Sequence, residues 1–359
     1  MNFDDKIKSF KPQFILGFIL LVIIVLLVVL YVKKERDYEP YRCTNYAMGT
    51  YIEQTVYGDE SEKAVTQAAA DINELENQIS WRIENSDISK INAAAGNSYV
   101  NVNESTIELL KLCKQVALRT NGGFDPAILP ISSLWIFDKG EESCPTNENI
   151  NKFLPYIDYN NLTVDEEGKT AYLKNQLCAL DLGGVGKGLA CERAIKAYES
   201  NNVDSAIISV GGSIGVMGNR KSNPDWNIAI RDPFKAFEDQ YGELGIIKLR
   251  RGYISTSGIY EKYFYKDGKC YHHILDPLTG YPVENNLICV SIMSDNGALS
   301  DALSTGCFVM GMENSLPILK YYNAQAVFVT KDREIYITKE AKDMFELKEN
   351  EYSLNILDL

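Results

Sequence analysis

Histidine is almost absent from this 359-residue chain, which contains only His272 and His273. Eight cysteines occur, but the closest two are thirteen positions apart and none forms a CxxC pair. The sequence therefore argues against a structural zinc site and excludes a multi-histidine metal centre. Cys289 and Cys307 lie in apolar stretches, where we expect buried thiols, whereas disulfides would require a domain outside the cell.

An excess of positive charge is also missing, because the formal net charge is −13. Residues 1–36 carry six basic and three acidic side chains, which leaves about −16 on the remainder. This charge argues against a nucleic-acid partner. An anionic ligand would need local positive charge, backbone N–H groups or a metal ion.

One long apolar run occurs, at Phe14–Val32, and it contains no charged residue. As a helix it would be about 28 Å long, close to the thickness of a bilayer core, which predicts a single transmembrane anchor. A cleavable signal peptide is the alternative, but its apolar core is usually shorter. Basic residues flank both ends, so the charges do not decide the orientation. The predicted organisation is a flank at 1–12, the anchor at 13–32, a linker at 33–42, a main domain at 43–345 and a C-terminal tail at 346–359.

Within the main domain, helical and strand-like patterns mix without regular alternation. Apolar spacing predicts helices at Glu60–Ile79, Ser105–Arg119, Gly188–Ser200 and Ala298–Met310. Strand-like runs include Met48–Gly58, Ala206–Val210, Leu287–Met293 and a hairpin over Tyr263–Ile274. This order predicts an α+β fold rather than a doubly wound parallel sheet.

The segment DLGGVGKGLA, Asp181–Ala190, is the densest chemical signal. Its four glycines free the backbone to approach a ligand, and Lys187 adds a positive charge at a predicted helix start, which suits a phosphate. The segment is neither a Walker loop nor a GxGxxG motif. A tight strand-to-helix turn with a solvated lysine would explain it equally well.

Two further patterns carry candidate chemistry. Asp301 and Thr305 are four residues apart on a predicted helix, so their oxygens project from one face and suit Mg²⁺. The alternative is a threonine that bonds its own helix backbone. In a strand, His272 and His273 point to opposite faces, which leaves one candidate general base, or simply a histidine at a strand end.

Together these patterns resemble the FAD:protein FMN transferase (ApbE-like) family over roughly Asn45–Lys339. The match rests on seven segments in order. They are AMGT at Ala47–Thr50, SDISKIN at Ser86–Asn92, GGFDP at Gly122–Pro126, DLGGVGKG at Asp181–Gly188, ISTSG at Ile254–Gly258, HILDPLTGYP at His273–Pro282 and SDALST at Ser300–Thr305.

The resemblance implies two α+β subdomains of mixed sheets and packed helices, with FAD in the cleft between them. It implies a magnesium site formed by Asp301, Thr305 and the main-chain carbonyl of Gly184, with His273 as the catalytic base. The residues that it places around FAD are Met48, Trp81, Gly123, Phe124, Asp125, Asp181, Lys187 and Leu275. The match is loosest around Trp81, where the local spacing differs from the family.

The implied reaction transfers the FMN moiety of FAD to a threonine or serine hydroxyl of an acceptor protein, with Mg²⁺ present and AMP released. Hydrolysis of FAD to FMN and AMP and a non-catalytic, membrane-tethered flavin-binding module are the alternatives. The family further suggests that the acceptors are flavoprotein subunits of membrane electron-transport complexes. It also suggests a cell-membrane protein whose catalytic domain is extracytoplasmic.

Four positions depart from the usual family pattern. Gly186 replaces a common alanine, Glu192 a common aspartate, Ile259 a common acidic residue and Leu278 a common arginine. None of the four is a predicted metal ligand or base. We therefore expect them to affect flavin affinity and the choice of acceptor more than catalysis.

Overall fold

Two strand patterns distinguish the rim of the main sheet from its centre. In Thr50–Tyr57, buried and exposed residues alternate along most of the strand, as expected for a strand with one covered face. Leu287–Ser294 is buried along nearly its whole length, which is typical of a strand covered on both faces. The computed structural model describes residues 12–35, 39–218, 225–238 and 240–359.

In these described ranges the strands are β1 Tyr41–Ala47, β2 Thr50–Tyr57, β3 Val100–Asn101, β4 Leu162–Asp165, β5 Thr170–Leu173, β6 Ser205–Val210, β7 Ser213–Gly218, β8 Trp226–Arg231, β9 Glu243–Leu249, β10 Gly252–Gly258, β11 Tyr263–Lys266, β12 Lys269–His272, β13 Leu287–Ser294, β14 Gln325–Thr330, β15 Glu334–Thr338, β16 Phe345–Leu347 and β17 Ser353–Leu357. The α-helices are α1 Pro12–Glu35, α2 Ser61–Ile79, α3 Asp87–Ala93, α4 Glu104–Arg119, α5 Leu129–Ser132, α6 Asn147–Phe153, α7 Gly183–Ser200, α8 Pro233–Phe237, α9 Gly297–Met310 and α10 Met312–Tyr322.

The largest sheet of the described residues has nine strands in the order β1-β2-β6-β7-β10-β13-β14-β15-β17. Its neighbours are antiparallel except for the parallel pair β15 and β17. Three smaller sheets have the orders β16-β9-β8, β3-β5-β4 and β11-β12. The predicted α+β class with mixed sheets is therefore confirmed.

A layer of helices covers one face of the large sheet. Helix α2 packs on β1 and β2, α7 on β6 and β7, and α9 on β10 and β13, and α7 contacts both of the other helices. The apolar residues between these layers form one continuous core. A smaller apolar cluster includes Ile131, Trp135, Ile150, Phe264 and Leu275.

The described residues correct several predicted boundaries. By their contacts, residues 40–359 form one compact unit, which contains both the large apolar core and the smaller cluster. The C-terminal tail predicted at 346–359 supplies the edge strand β17, and β1 begins inside the predicted linker 33–42. All eight cysteines are free thiols, and burial raises the pKa of Cys289 and Cys307 to about 12.

A separate N-terminal unit contains α1, which includes the segment predicted as an anchor, 13–32. Among the residues that the structure describes, no helix is long and apolar enough to cross a membrane, so the predicted anchor is not supported. Residues 1–11 of the predicted flank 1–12 and residues 36–38 of the predicted linker lie outside the described residues.

Candidate active site

The glycine-rich segment forms the start of α7. The helix begins at Gly183, five residues earlier than predicted. Asp181 stands just before it, where its Oδ1 accepts a hydrogen bond from the Gly183 N–H at 2.8 Å and its Oδ2 accepts one from Ser132 Oγ at 3.3 Å. The N–H groups of Val185 and Gly186 donate to the Leu182 carbonyl oxygen, which leaves the Gly184 N–H for a ligand in the first turn. The helix dipole attracts anions there. The start of α7 can therefore bind a phosphate.

Helices α7 and α9 approach each other very closely at Gly188 and Gly297. A Cβ atom on Gly188 would lie 2.0 Å from the Gly297 carbonyl oxygen, so only glycine fits this crossing. The close approach lets the Gly188 N–H donate a 2.9 Å hydrogen bond to Oδ2 of Asp301, which is 3% exposed. The helix crossing thereby fixes the position of a buried carboxylate.

Lys187 supplies positive charge at the same place. Its ammonium nitrogen lies 3.4 Å from Asp301 Oδ1 and donates to the Gly183 carbonyl oxygen at 3.1 Å. The side chain is about one-third exposed, so its charge remains accessible from solvent. A lysine in this position can neutralise the carboxylate and also reach an anion at the start of α7.

The predicted metal-binding residues meet next to this ion pair. Thr305 Oγ1 lies 3.6 Å from the position that a Cβ on Gly184 would occupy, and Phe124 Cε2 lies 3.3 Å from the same position. With Asp301 and the predicted carbonyl of Gly184, the donor set would be one carboxylate, one hydroxyl and one backbone carbonyl. The described residues contain no group of three or more acidic, histidine or cysteine side chains that could hold a metal. A sparse oxygen set suits Mg²⁺, which commonly completes its coordination with substrate phosphates and water.

The two histidines differ as predicted, with His272 buried and His273 only half-buried. His273 Nδ1 lies 3.3 Å from the Lys262 carbonyl oxygen, which only accepts hydrogen bonds. Nδ1 therefore carries the proton, and Nε2 has the free lone pair of a base. Desolvation of its imidazole lowers the pKa of His273 to about 3, and the neighbouring His272, Lys262 and Lys187 charges act in the same direction.

The N-terminal hairpin brings Met48 to the start of α7. Met48 and Gly49 form the two-residue turn between β1 and β2, and both have positive φ angles, 55° and 70°. The predicted strand Met48–Gly58 therefore begins at Thr50. The Met48 methyl group lies 3.1 Å from the position of a Cβ on Gly186, so this predicted FAD contact adjoins the glycine-rich segment.

The GGFDP segment lies behind the metal-binding residues. A Cβ on Gly123 would lie 3.3 Å from the Gly306 carbonyl oxygen, and the adjoining Phe124 is 4% exposed. Both oxygens of the buried Asp125 accept backbone hydrogen bonds, from Ala127 at 2.8 Å and Tyr159 at 2.9 Å. Burial raises the pKa of Asp125 to about 6. Through these two hydrogen bonds Asp125 joins the loop at Ala127 to the segment at Tyr159. Its contact with FAD stays a prediction.

Trp81 lies apart from these residues, in an open cleft of about 330 Å³ beside the segment that precedes Asp181. Its indole Nε1 is buried and finds no hydrogen-bond partner among the described residues, while the Arg82 guanidinium lies 4.2 Å from the ring centre. Leu275, 7% exposed, packs in the smaller apolar cluster with Ile131 of α5. Neither residue is brought into contact with the metal-binding residues.

Comparison with known proteins identifies the family of this chain. The sequence model of the ApbE family matches residues 48–328. The chain belongs to the ApbE family. The FAD:protein FMN transferase of Klebsiella pneumoniae (strain 342) is 30% identical over 270 residues, 75% of this chain and 83% of the relative. That of Treponema pallidum (strain Nichols) is 28% identical and covers 82% of this chain and 86% of the relative.

Solved structures of the ApbE family have the same fold. The ApbE protein of Thermotoga maritima superposes with a TM-score of 0.78 at 29% identity, covering 87% of this chain and all of that one. The apo form of the Pseudomonas stutzeri flavinyl transferase ApbE gives a TM-score of 0.75 at 25% identity, covering 87% of this chain and 98% of that one.

Besides Gly186, which adjoins Met48, the three other departures from the ApbE pattern have different surroundings. Glu192 Oε1 accepts a 2.7 Å hydrogen bond from Ala298 N–H in the first turn of α9. Ile259 is 7% exposed, whereas Leu278 is 73% exposed. A larger acidic side chain at position 192 thus links α7 to α9, and Leu278 is available to a partner.

Sequence reasoning missed one residue of this ApbE site, Ser257 of β10, whose Oγ lies 3.3 Å from Thr305 Oγ1. The alternation of β10 was the available signal, because Ser255 and Ser257 must share the face opposite Thr256. The contact with α9 depends on tertiary packing, which the sequence pattern does not give.

Proposed function

We propose that this chain is a flavin transferase that moves the FMN moiety of FAD onto a threonine or serine hydroxyl of an acceptor protein. The curated relatives carry the name FAD:protein FMN transferase. The observation that carries the proposal is the convergence of Asp301, Thr305 and Gly184 beside Lys187. This arrangement suits a pyrophosphate in a chain whose net charge would otherwise repel it.

We further propose that Mg²⁺ is held by Asp301, Thr305 and the carbonyl of Gly184. The bound ion would neutralise the pyrophosphate charge and orient it. The oxygen-only donor set fits a hard cation. The positive charge of Lys187, beside Asp301, would attract the phosphate oxygens of FAD. The predicted FAD contacts at Met48 and Phe124 adjoin this set.

The protein residues perform the remaining steps. Lys187 and the Gly184 N–H at the start of α7 bind the phosphate oxygens and hold the FMN-side phosphorus in position. His273 Nε2 takes the proton of the acceptor hydroxyl as its oxygen bonds to that phosphorus. The bond from the phosphorus to the oxygen bridging to AMP breaks, and AMP leaves with that oxygen.

The finer assignments are also proposals. The acceptors would be flavoprotein subunits of membrane electron-transport complexes, and the catalytic domain would act outside the cytoplasm, where such subunits can be reached. Both follow from the family resemblance. A cell-membrane location stays a prediction of the same kind.

The test is to incubate the full chain with FAD, Mg²⁺ and a flavoprotein that an ApbE relative modifies. Covalent flavin should fluoresce on the acceptor band of a denaturing gel, and chelation by EDTA should abolish it. An acceptor with valine in place of the modified threonine is the matched control. Release of FMN and AMP without labelling of any acceptor would contradict the transferase and indicate hydrolysis of FAD.

A further inference from the structure

Strand β10 and helix α9 face each other through a chain of hydroxyl groups. Ser304 Oγ donates to the Asp301 carbonyl oxygen at 2.8 Å. Ser257 Oγ lies 2.7 Å from Ser304 Oγ and 3.3 Å from Thr305 Oγ1. This series of hydroxyl groups therefore starts at the backbone carbonyl of Asp301 and ends at the side chain of Thr305, the two proposed metal-binding residues.

The number of hydroxyl protons determines which group donates in each of these hydrogen bonds. Each of the three contacts needs one proton, and the three hydroxyls supply one each. Since a carbonyl only accepts, Ser304 uses its proton in the hydrogen bond to the Asp301 carbonyl oxygen. Ser257 must therefore donate to Ser304. The only proton left for the third contact is that of Thr305, which donates to Ser257.

This order has a consequence for Thr305. Its proton is directed to Ser257, and its lone pairs are left free on the side away from β10. A helical threonine often donates to a carbonyl one turn earlier, but the contact of the Thr305 hydroxyl in the described residues is with Ser257 Oγ. A hydroxyl that ligates a cation must present a lone pair.

We propose that Ser257 is a positioning residue that makes Thr305 an obligate electron-pair donor to the metal ion. The inference rests on the proposed function, because it needs the cation at Thr305. Ser257 itself binds neither the metal nor FAD. Loss of an outer hydrogen-bond partner of this kind typically weakens metal affinity about 10-fold to 100-fold.

A matched control lies two residues earlier on the same face of β10. Ser255 Oγ lies 2.9 Å from Ser300 Oγ and 3.0 Å from Ser213 Oγ, so it links the same strand to the same helix. Ser255 is fully buried at 1% exposure. It contacts neither Thr305 nor Asp301 through these bonds.

The experiment titrates the full chain with Mn²⁺ in the presence of FAD, without acceptor, and measures free Mn²⁺ by electron paramagnetic resonance. Ser257→Ala should weaken Mn²⁺ binding about 10-fold or more, and Ser257→Thr, which keeps the hydroxyl, should restore it. Ser255→Ala should bind Mn²⁺ as the unmodified chain does. Thermal unfolding confirms that each variant is folded.

Ser304→Ala separates proton direction from simple packing. Removal of the Ser304 acceptor lets Ser257 donate to Thr305 and occupy one of its lone pairs, so Mn²⁺ binding should weaken although Ser257 is intact. Unchanged binding in both Ser257→Ala and Ser304→Ala, with normal binding by the unmodified chain, would overturn this inference alone. Absence of Mn²⁺ binding by the unmodified chain would overturn the proposed metal site, and this inference with it.

Discussion

The two sides of the candidate site are built differently. On the α7–α9 side, Asp301 and Lys187 are paired with each other or with backbone groups at a helix crossing. On the cleft side, Trp81 lies among loops, with an indole N–H that has no partner in the described part of the chain. The side chains on the α7–α9 side are held in place before any ligand binds, whereas the cleft side has an indole N–H that is available to donate to a ligand.

This difference separates chemistry from recognition. Groups that stabilise developing charge are most effective when their positions are fixed in advance. A contact that mainly recognises a ligand can gain its hydrogen bond on binding. We therefore expect substitutions on the α7–α9 side to affect the transfer rate or the fold, and substitutions in the cleft to affect FAD affinity.

The largest effect should come from Asp301→Asn, which keeps the shape of the side chain and removes its charge. Transfer should fall by more than about 100-fold, because the proposed metal ion loses its only charged protein ligand and oxyanion stabilisation is typically worth that much. Covalent flavin on the acceptor measures it. Asp295→Asn, in the exposed turn before α9, should transfer normally. Full activity of Asp301→Asn would exclude a metal site on α9.

The next largest effect should come from His273→Gln. Loss of a general base typically costs about 10²- to 10⁴-fold in rate, while binding of FAD should be retained. Single-turnover transfer at saturating FAD measures the rate, and fluorescence quenching measures binding. His272→Gln should instead lower thermal stability with little change in rate, because His272 Nε2 bonds the Val283 carbonyl oxygen at 3.1 Å. The opposite pattern would assign the base to His272.

Gly188→Ala and Gly186→Ala test the helix crossing. The new Cβ on Gly188 would meet the Gly297 carbonyl oxygen at 2.0 Å, so the free energy of unfolding should fall by about 1–3 kcal/mol, or the chain should fail to fold. On Gly186 it would meet only side-chain ends, the flexible Met48 methyl at 3.1 Å and Ile79 Cδ1 at 3.4 Å, and stability should rise by up to about 1 kcal/mol. Urea denaturation compares the two. Equal effects would mean that the crossing does not fix the site.

A smaller effect is expected for Trp81→Phe, which removes the unpartnered indole N–H. Stability should change by less than about 0.5 kcal/mol, whereas FAD should bind about 3- to 10-fold more weakly if that N–H gains a hydrogen bond with the ligand. Trp135→Phe is the control, because the Trp135 N–H already donates to the Gly280 carbonyl oxygen at 3.0 Å. It should lose stability and keep FAD affinity. Unchanged affinity of Trp81→Phe would remove this N–H from the FAD site.

The smallest expected effect is the acid dependence due to His273. Burial lowers its pKa to about 3, so the neutral, proton-accepting form persists when the pH falls through the ordinary histidine value near 6.5. The single-turnover rate at saturating FAD should therefore show no inflection near pH 6.5 that is due to His273. Its pH profile near pH 6.5 should have the same shape in His273→Gln. An inflection there would mean that His273 is solvated and charged more easily than its surroundings imply.

Much of this site could be predicted from the sequence because its signals are local. The four-residue spacing of Asp301 and Thr305 was enough to place both on one helix face. Alternation along a strand predicted different exposure for His272 and His273, and their exposure does differ, although β12 ends at His272. The start of α7 was predicted too late because glycines are poor helix formers, and here tertiary packing overrides that preference. The contact of Ser257 with Thr305 and the pairing of β17 with β15 depend on distant segments, which periodicity does not reveal.

The most direct test of the central claim is the mass of an acceptor after incubation with the full chain, FAD and Mg²⁺. We expect a mass gain equal to FMN minus one water on a threonine or serine, one AMP released per acceptor modified, and no gain with Asp301→Asn. A chain that leaves the acceptor mass unchanged while consuming FAD, or an Asp301→Asn variant that modifies the acceptor normally, would contradict it.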